Sequence, residues 1–589
     1  MVSFQAALRR ISGTHGIDGW SHHELRAIAS SKDIAGMLWE EMEMWEQTTL
    51  IPASVAACKL VCIPKKDLRH LAPKDFRPIC VMSALWRAWS SAWIRSSPAS
   101  KWMSCLFPLN ISGGIPGSLG AETLSAMVDH QLHQHHHGIS LDFKHAFDTV
   151  DLELLHRTMV QTVPESMVGW ADLIFKQWKC MQRFIIYDSC THSVPIVSAT
   201  GLPQGDPASP LAMNILMMCC QDIISRQCND PSYFFVNYMD DRTVIADDPD
   251  KIKRVEEAWS ATAASFHLIE NKDKTQHVDL AENQCMEVLG ALVGSPSPHQ
   301  DANSKASVRL KQSALKFRRI SFLPLRHREK LLTANLFGRS GLEYGWVSSS
   351  PSKNQCKLQE SWLWRCLGRA RYASPFMRKV ILGGHSYLQI TLLCRQLRLV
   401  AKRNEALRSL QLPIGRAPLD ALVEQGLINL GWTLRGSEWH HDRYGRFSIA
   451  NLVDDKVWGC VHHNIRESYR EIAFHDLVNS GRHDAMEINT EYSPDRRKLA
   501  LKWAGANFQP FLMVVGGLQS PLQRAILGYN TSVWCPKCGI NAPSWDHLWQ
   551  CAVGFTPSDG LMRRFLWPRC KQDFGACSAF LKAFLSTGC

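Results

Sequence analysis

The sequence predicts an α+β fold, and three observations carry that prediction. Gly138–Phe143 (GISLDF) alternates apolar Ile139, Leu141 and Phe143 with polar Ser140 and Asp142, the period of a strand. Two β-rich runs, Phe234–Met239 and Thr243–Ala246, flank the acids Asp240 and Asp241 as the arms of a hairpin. Beyond residue 305 the pattern turns to basic helices.

The bounds are those of a globular chain. At 589 residues it has room for three or four domains of about 150 residues each. A composition that is 45% hydrophobic and 20% charged excludes an intrinsically disordered protein. No apolar run reaches the roughly 18 residues of a membrane span, so no membrane partner is expected. The start, MVSFQAALRRISG, lacks a signal-peptide pattern. The 20 cysteines are then expected as reduced thiols in an intracellular protein, nuclear or cytoplasmic.

Charge is uneven. Residues 301–410 hold 22 Lys/Arg against 5 acids, a net of +17, while the whole chain is +12. The remainder is therefore mildly acidic. One basic segment in such a chain is the footprint of a polyanion. Aromatics interleaved with it (Phe317, Phe337, Trp346, Trp362, Trp364) would suit stacking against bases.

In chain order, residues 1–300 mix short strand-like and helix-like stretches. Ser295–Asn303 (SPSPHQDAN) reads as a linker. Residues 301–410 are basic helices. Residues 411–530 are helical segments broken at Pro413, Gly426, Gly431 and Gly481. A Cys/His cluster falls within 531–555, and 556–589 is a tail.

Buried acids are costly unless paired or bound to a cation. The strand pattern puts Asp142 near a strand end, off the apolar face, with a helix starting around His145. Asp240 and Asp241 sit at the hairpin tip. Three carboxylates at the tips of adjacent strands suggest magnesium, which takes one or two carboxylates plus substrate phosphates. Two such ions can activate an attacking hydroxyl and stabilise a leaving oxygen. Between the acid motifs, Gly201–Met217 (GLPQGDPASPLAMNILM) reads as a rigid turn leading into an apolar helix. Such a turn lets the backbone approach a ligand closely.

These motifs, in this order, resemble the reverse transcriptase domain of non-LTR (LINE-like) retrotransposons. GTHGIDGW (13–20) is similar to the family's opening motif. VCIPKKD (61–67) and KDFRPIC (74–80) resemble its finger motifs, and GGIPGSLGAET (113–123) a further upstream motif. LDFKHAFDTVD, GLPQGDPASPL and YMDD resemble motifs A, B and C. NKDKTQ (271–276) resembles motif D and EVLGALVG (287–294) the motif E hairpin.

The resemblance implies a right-hand polymerase. Fingers and palm would occupy 1–300 and a helical thumb 301–410. It also implies roles. Asp142 and Asp240 would hold two magnesium ions, with Asp241 assisting and the Phe143 carbonyl as a further ligand. Phe147 would be the steric gate against a ribose 2′-hydroxyl. Gln204 and Gly205 would line the nucleotide pocket. Lys65 and Arg77 would grip the triphosphate, where a guanidinium can bind phosphate bidentately. Lys274 would protonate the pyrophosphate. Two positions depart from the family: Met239 stands where Ala is usual in motif C, and Arg87 where a lysine is usual after the finger motif. Asp148 and Asp151 are expected as helix-start acids.

Two clusters remain. The run HQLHQHHH (130–137) is expected as a solvated polar face at a helix end or loop. Cys535-x2-Cys538-x8-His547-x3-Cys551 has the ligand types and spacing of a structural zinc site. It resembles the CCHC knuckle that follows the polymerase in many such elements.

The expected function is RNA-directed DNA synthesis. The partners would be an RNA template, a DNA primer or target, and deoxynucleoside triphosphates. A group II intron-type maturase is disfavoured by the knuckle, and an RNA-dependent RNA polymerase by Phe147 and the Pro203-Gln204-Gly205 turn. A decayed copy that only binds nucleic acid is disfavoured by the intact aspartates. No endonuclease or ribonuclease H motif is evident, which suggests a truncated copy or cleavage in trans.

Overall fold

A computed structural model describes residues 2–65, 72, 75–187, 190–191, 194–198, 200–228, 232–325, 327–366 and 387–479. The described residues divide into two compact units. The first holds residues up to 289 with 293–295 and 406–415. The second holds 290–292, 296–405 and the described residues from 416 on.

In the first unit the strands are β1 (Cys58–Pro64), β2 (Phe76–Val81), β3 (Ile111–Ser112), β4 (His137–Leu141), β5 (Phe143–Lys144), β6 (Arg183–Tyr187), β7 (Cys190–Thr191), β8 (Phe234–Tyr238), β9 (Asp241–Ala246), β10 (Ile269–Glu270) and β11 (Gln276–Asp279). One sheet has the order β11-β4-β9-β8-β3 and another β2-β1-β6-β7. The two strand readings of the sequence hold, with one shift. Asp241 is not at the hairpin tip but opens the return strand, paired with Tyr238. Met239 and Asp240 alone form the turn.

Alternation along these strands serves two cores. Val244 and Ala246 of β9 point to the face covered by helices Ser209–Cys228 and Pro249–Ser265, where Leu211, Ile215 and Trp259 are buried. Ile245 points to the other face with Phe234 and Val236, against Leu124, Met127, Val128 and Leu132 of helix Ala121–His135. Both faces are thus covered, and polar groups can gather only at the strand ends.

This sandwich corrects the reading of the histidine run. His130 is not solvated but fully buried, and its Nε2 pairs with the Gly415 backbone. Residues 406–415 return to the first unit, and Ala406 and Leu407 join the core beside the helix. The linker reading also needs correction. Pro298–Asn303 is helical, started by a capping box between Ser297 and Gln300.

After β12 (Cys285–Val288) and β13 (Ala291–Gly294), the second unit is mainly helical, with helices Lys305–Phe322, Lys353–Cys366 and Leu388–Ser409. Leu310, Phe317 and Ile320 turn inward, while Lys311, Lys316, Arg318 and Arg319 are exposed. Phe317 and Trp346 are therefore core residues, not stacking surfaces. The helical reading of 411–530 meets a three-stranded sheet, β14 (Thr433–Arg435), β15 (Glu438–His441) and β16 (Gly445–Ser448). Trp439 and Phe447 sit opposite each other there and are buried, and Trp432 meets Phe447 at 5.0 Å. Gly436 and Gly445 hold the positive φ of its turns.

One buried acid ties the first unit together. Asp206 is 2% exposed. Its Oδ2 accepts the indole N–H of Trp86 and of Trp178, both at 2.9 Å. Its Oδ1 accepts from Ser90 Oγ and the Ala208 amide. Helices Ala84–Ile94 and Val168–Cys180 are so joined to the turn that follows residue 201. An amide can keep its oxygen on the two indoles, but its NH2 then faces the Ala208 N–H. Asp206→Asn should cost about 1–3 kcal/mol, from that donor left unpaired, and a urea melt of the purified protein checks this.

Candidate active site

Register sets the acids side by side. Leu141 of β4 pairs with Arg242 of β9, which pairs with Asn237 of β8. One step further toward the same edge, Asp142 comes level with Asp241 and Tyr238. Asp240 follows in the turn. Met239 holds φ +58°, the left-handed value that the first residue of a two-residue hairpin turn adopts. A non-glycine residue there is strained. The Met239 amide donates to Ser112 O, and Asn214 Nδ2 donates to Gly113 O, so the upstream glycine motif buttresses the tip. Gly114 is required beside it, since a Cβ would lie 2.2 Å from Pro210 Cβ.

Asp142 is held from behind. Its carbonyl accepts the Asn271 amide at 2.8 Å, and its Oδ2 accepts Asn271 Nδ2 at 2.7 Å. Lys274 Nζ stands 3.2 Å from the same oxygen. The aspartates act on one another. Burial, the larger cause, and the nearby Asp142 charge hold the Asp240 carboxyl above its ordinary value, against the pull of Arg242 and Arg77.

The Gly-rich turn closes the other side. The Leu202 amide donates to Phe147 O at 2.6 Å and the Cys80 amide to Gln204 O at 2.8 Å. Gly205 has φ +131°, and a Cβ there would lie 2.3 Å from Cys80 O. Gln204 Nε2 donates to Asp148 Oδ1 at 3.3 Å. Asp148 thus orients Gln204, beyond its expected place in a first helical turn. Asp151 does cap a helix, accepting the amides of Glu153 and Leu154.

A cleft of about 880 Å³ opens between these parts. Lys65, Arg77, Asp142, Phe143, Phe147, Gln204, Gly205, Asp240, Asp241 and Lys274 all line it, although they come from six separate stretches of sequence. Lys65 and Arg77 are exposed, at the β1–β2 end. Arg87 also lines the cleft, but its guanidinium donates to Ser12 O and Thr14 O and is thus tied to the start of the opening motif. In that motif Asp18 accepts from Ser83 Oγ at 2.6 Å. The sequence reading missed Asn271, although it lies in the quoted NKDKTQ stretch. It also missed Arg242 and the burial of Asp206. Arg242 had a visible signal: a cation at the start of an apolar strand run.

The donor set fits magnesium. Among the described residues, no three acidic, histidine or cysteine side chains form a ready-made cage. Magnesium bound by one or two carboxylates plus substrate phosphates does not need one. The repulsion between Asp142 and Asp240 and the ammonium seated on Asp142 mark a place that favours cations. The zinc ligands expected at Cys535, Cys538, His547 and Cys551 lie outside the described residues, as does Lys66.

The raised Asp240 has a consequence for stability. A carboxyl whose folded pKa exceeds the ordinary 3.8 favours the fold fully below 3.8, and that contribution is lost as pH rises through the folded value. At neutral pH the ionised group therefore works against folding. Asp240→Asn should melt higher than the wild type in EDTA at pH 7, by about 2–4 °C per kcal/mol recovered. The gap should close toward pH 4, and thermal melts across that range check it.

Residues 63–293 match the family model for reverse transcriptase (RNA-dependent DNA polymerase). No curated protein sequence matches the chain. Among solved structures, the chain is similar to apo telomerase from Candida tropicalis truncated from its C-terminal domain, at 12% identity and TM-score 0.31, over 44% of this chain and 59% of that one. It thus spans less than two thirds of that telomerase. Telomerase from Candida albicans in complex with a TWJ fragment of telomeric RNA gives 13% identity and TM-score 0.34, over 67% of each chain. Among the described residues no helix is long and apolar enough to cross a membrane. Residues 63–293 are a reverse transcriptase domain, a nucleotidyltransferase module of the RNA-directed DNA polymerase class.

Proposed function

We propose that the chain is the polymerase of a non-LTR retrotransposon, extending a DNA primer on an RNA template. The observation that carries this reading is the single cleft lined by Asp142, Asp240, Asp241, Phe147, Gln204, Lys65, Arg77 and Lys274. In this reading 1–300 are fingers and palm, 301–410 the thumb and 411–530 a connector. The Cys535, Cys538, His547 and Cys551 set would be a zinc knuckle for nucleic acid.

Each residue then has a task. Lys65 and Arg77 take the triphosphate at the β1–β2 end. Gln204, held by Asp148, and Gly205, without a side chain, form the floor under the incoming nucleotide. Phe147 is anchored through its carbonyl by the Leu202 amide, and its half-buried side chain packs against the core, which limits how far the ring can yield to a 2′-hydroxyl. Asp142 and Asp240 would hold the two magnesium ions, with Asp241 and the Phe143 carbonyl beside them. Magnesium, when bound, lowers the pKa of the attacking 3′-hydroxyl and neutralises the leaving pyrophosphate. Lys274 moves from Asp142 Oδ2 to the pyrophosphate and gives it a proton from Nζ. The 69% exposure of its side chain leaves it free to make that move.

Primer extension on an RNA template with purified protein tests the reading. Asp142→Asn and Asp240→Asn should each lower extension by on the order of 10²–10³-fold or more while leaving RNA affinity near that of the wild type. Extension at the wild-type rate by either would remove the proposal.

Sugar choice is a separate test. Phe147→Ala should raise ribonucleotide incorporation relative to deoxynucleotide. An unchanged ratio would place the gate elsewhere.

A further inference from the structure

Arg242 follows the acidic pair directly and lies in the middle strand of its sheet, between Leu141 and Asn237. It is 1% exposed. None of its three side-chain nitrogens meets a hydrogen-bond partner in the protein. Its guanidinium lies 4.1 Å from the Trp259 ring centroid and 4.8 Å from that of Phe143. Phe143 in turn follows Asp142.

A buried cation without hydrogen bonds is strongly disfavoured. Two aromatic faces offset part of that cost. The other groups acting on it are the Cys220 thiol, Asp240 and Asp241. Burial pushes Cys220 up to about 12, so at neutral pH it is an uncharged thiol. The carboxylates are thus the countercharge of Arg242, which shares the aspartate cluster with Lys274, on Asp142, and Arg77, on Asp240. An arginine guanidinium stays charged even where it is buried.

We propose that Arg242 is a positioning residue of the cation site: its fixed charge steadies the clustered aspartates before a metal arrives and sets how tightly they take one. The inference rests on the reading of Asp142, Asp240 and Asp241 as the magnesium-binding set. A fixed cation behind carboxylates weakens their attraction for a second cation. It also keeps them from repelling one another apart. The rings of Trp259 and Phe143 keep that charge at one place, so the affinity is set by the fold.

The test is a titration of the full-length protein with manganese alone, followed by electron paramagnetic resonance and so independent of polymerase activity. Arg242→Met, which removes the charge and keeps the length, should bind manganese about fivefold or more tightly. Arg242→Lys, which keeps the charge, should stay within about twofold of the wild type. Equal affinity in Arg242→Met and the wild type overturns the proposal. So does an Arg242→Lys shift as large as that of Arg242→Met, since packing would then be the cause. If Arg242→Met does not fold, Arg242→Gln takes its place, and failure of both neutral forms to fold makes the charge a need of the fold and not a metal setting. Asp240→Asn serves as the control. If it binds manganese as the wild type does, the aspartates are not the site and the functional reading falls. If it loses manganese while Arg242→Met is unchanged, only this inference falls.

Discussion

Like charges brought together at the end of one buried sheet govern the first unit. β4 and β9 are paired so that Asp142 comes level with Asp241, and the turn adds Asp240. Nothing in strand pairing itself favours this. The helices covering both faces leave the strand ends as the place where polar groups can collect, and there the carboxylates repel one another at short range. The surroundings counter that repulsion from several sides. Asn271 fixes one Asp142 oxygen and Lys274 neutralises it. Arg77 and Arg242 both draw on Asp240. Yet burial, with the Asp142 charge added to it, still holds Asp240 above its ordinary range. A cation bound between the carboxylates would offset both causes at once.

The same constraint explains the stiffness around the acids. Met239 accepts a left-handed backbone, Gly114 comes against Pro210, and Gly205 comes against Cys80. Each is a close approach that fixes a turn relative to its neighbour. Asp206 then ties the Gly-rich turn to two helices through indole donors. Carboxylates left on flexible loops would move apart. Held on these supports, they stay where they would meet a phosphate and a hydroxyl together.

Much of this was legible in the sequence. Period-two alternation gave β4, and the paired runs gave the β8–β9 hairpin. The order of the motifs gave ten of the residues that line the cleft, but not Asn271 among the others. What stayed hidden depended on long-range contacts. His130 reads as polar because nothing nearby in sequence announces that residues 406–415 return to cover it. The sheet at 433–448 was missed because its strands are three or four residues long and each carries one large apolar residue, too few to show a period. Phe317 and Trp346 looked available for stacking only because charge surrounds them in sequence. Helical geometry sends Phe317 inward and Lys316 and Arg318 outward.

That last separation leaves the second unit with an exposed cationic helix face. On helix Lys305–Phe322 the apolar stripe of Leu310, Phe317 and Ile320 is used by its own core. The cations that remain face solvent, and none of Lys311, Lys316, Arg318 or Arg319 is buried. Attraction by such a face is long-ranged, blind to sequence, and screened within about 10 Å at 0.1 M salt. The cleft works the other way. Its charges are few, opposed in sign and fixed in place, so they discriminate by position. The first unit thus holds a few fixed charges of opposed sign, and helix Lys305–Phe322 of the second holds an exposed cationic face.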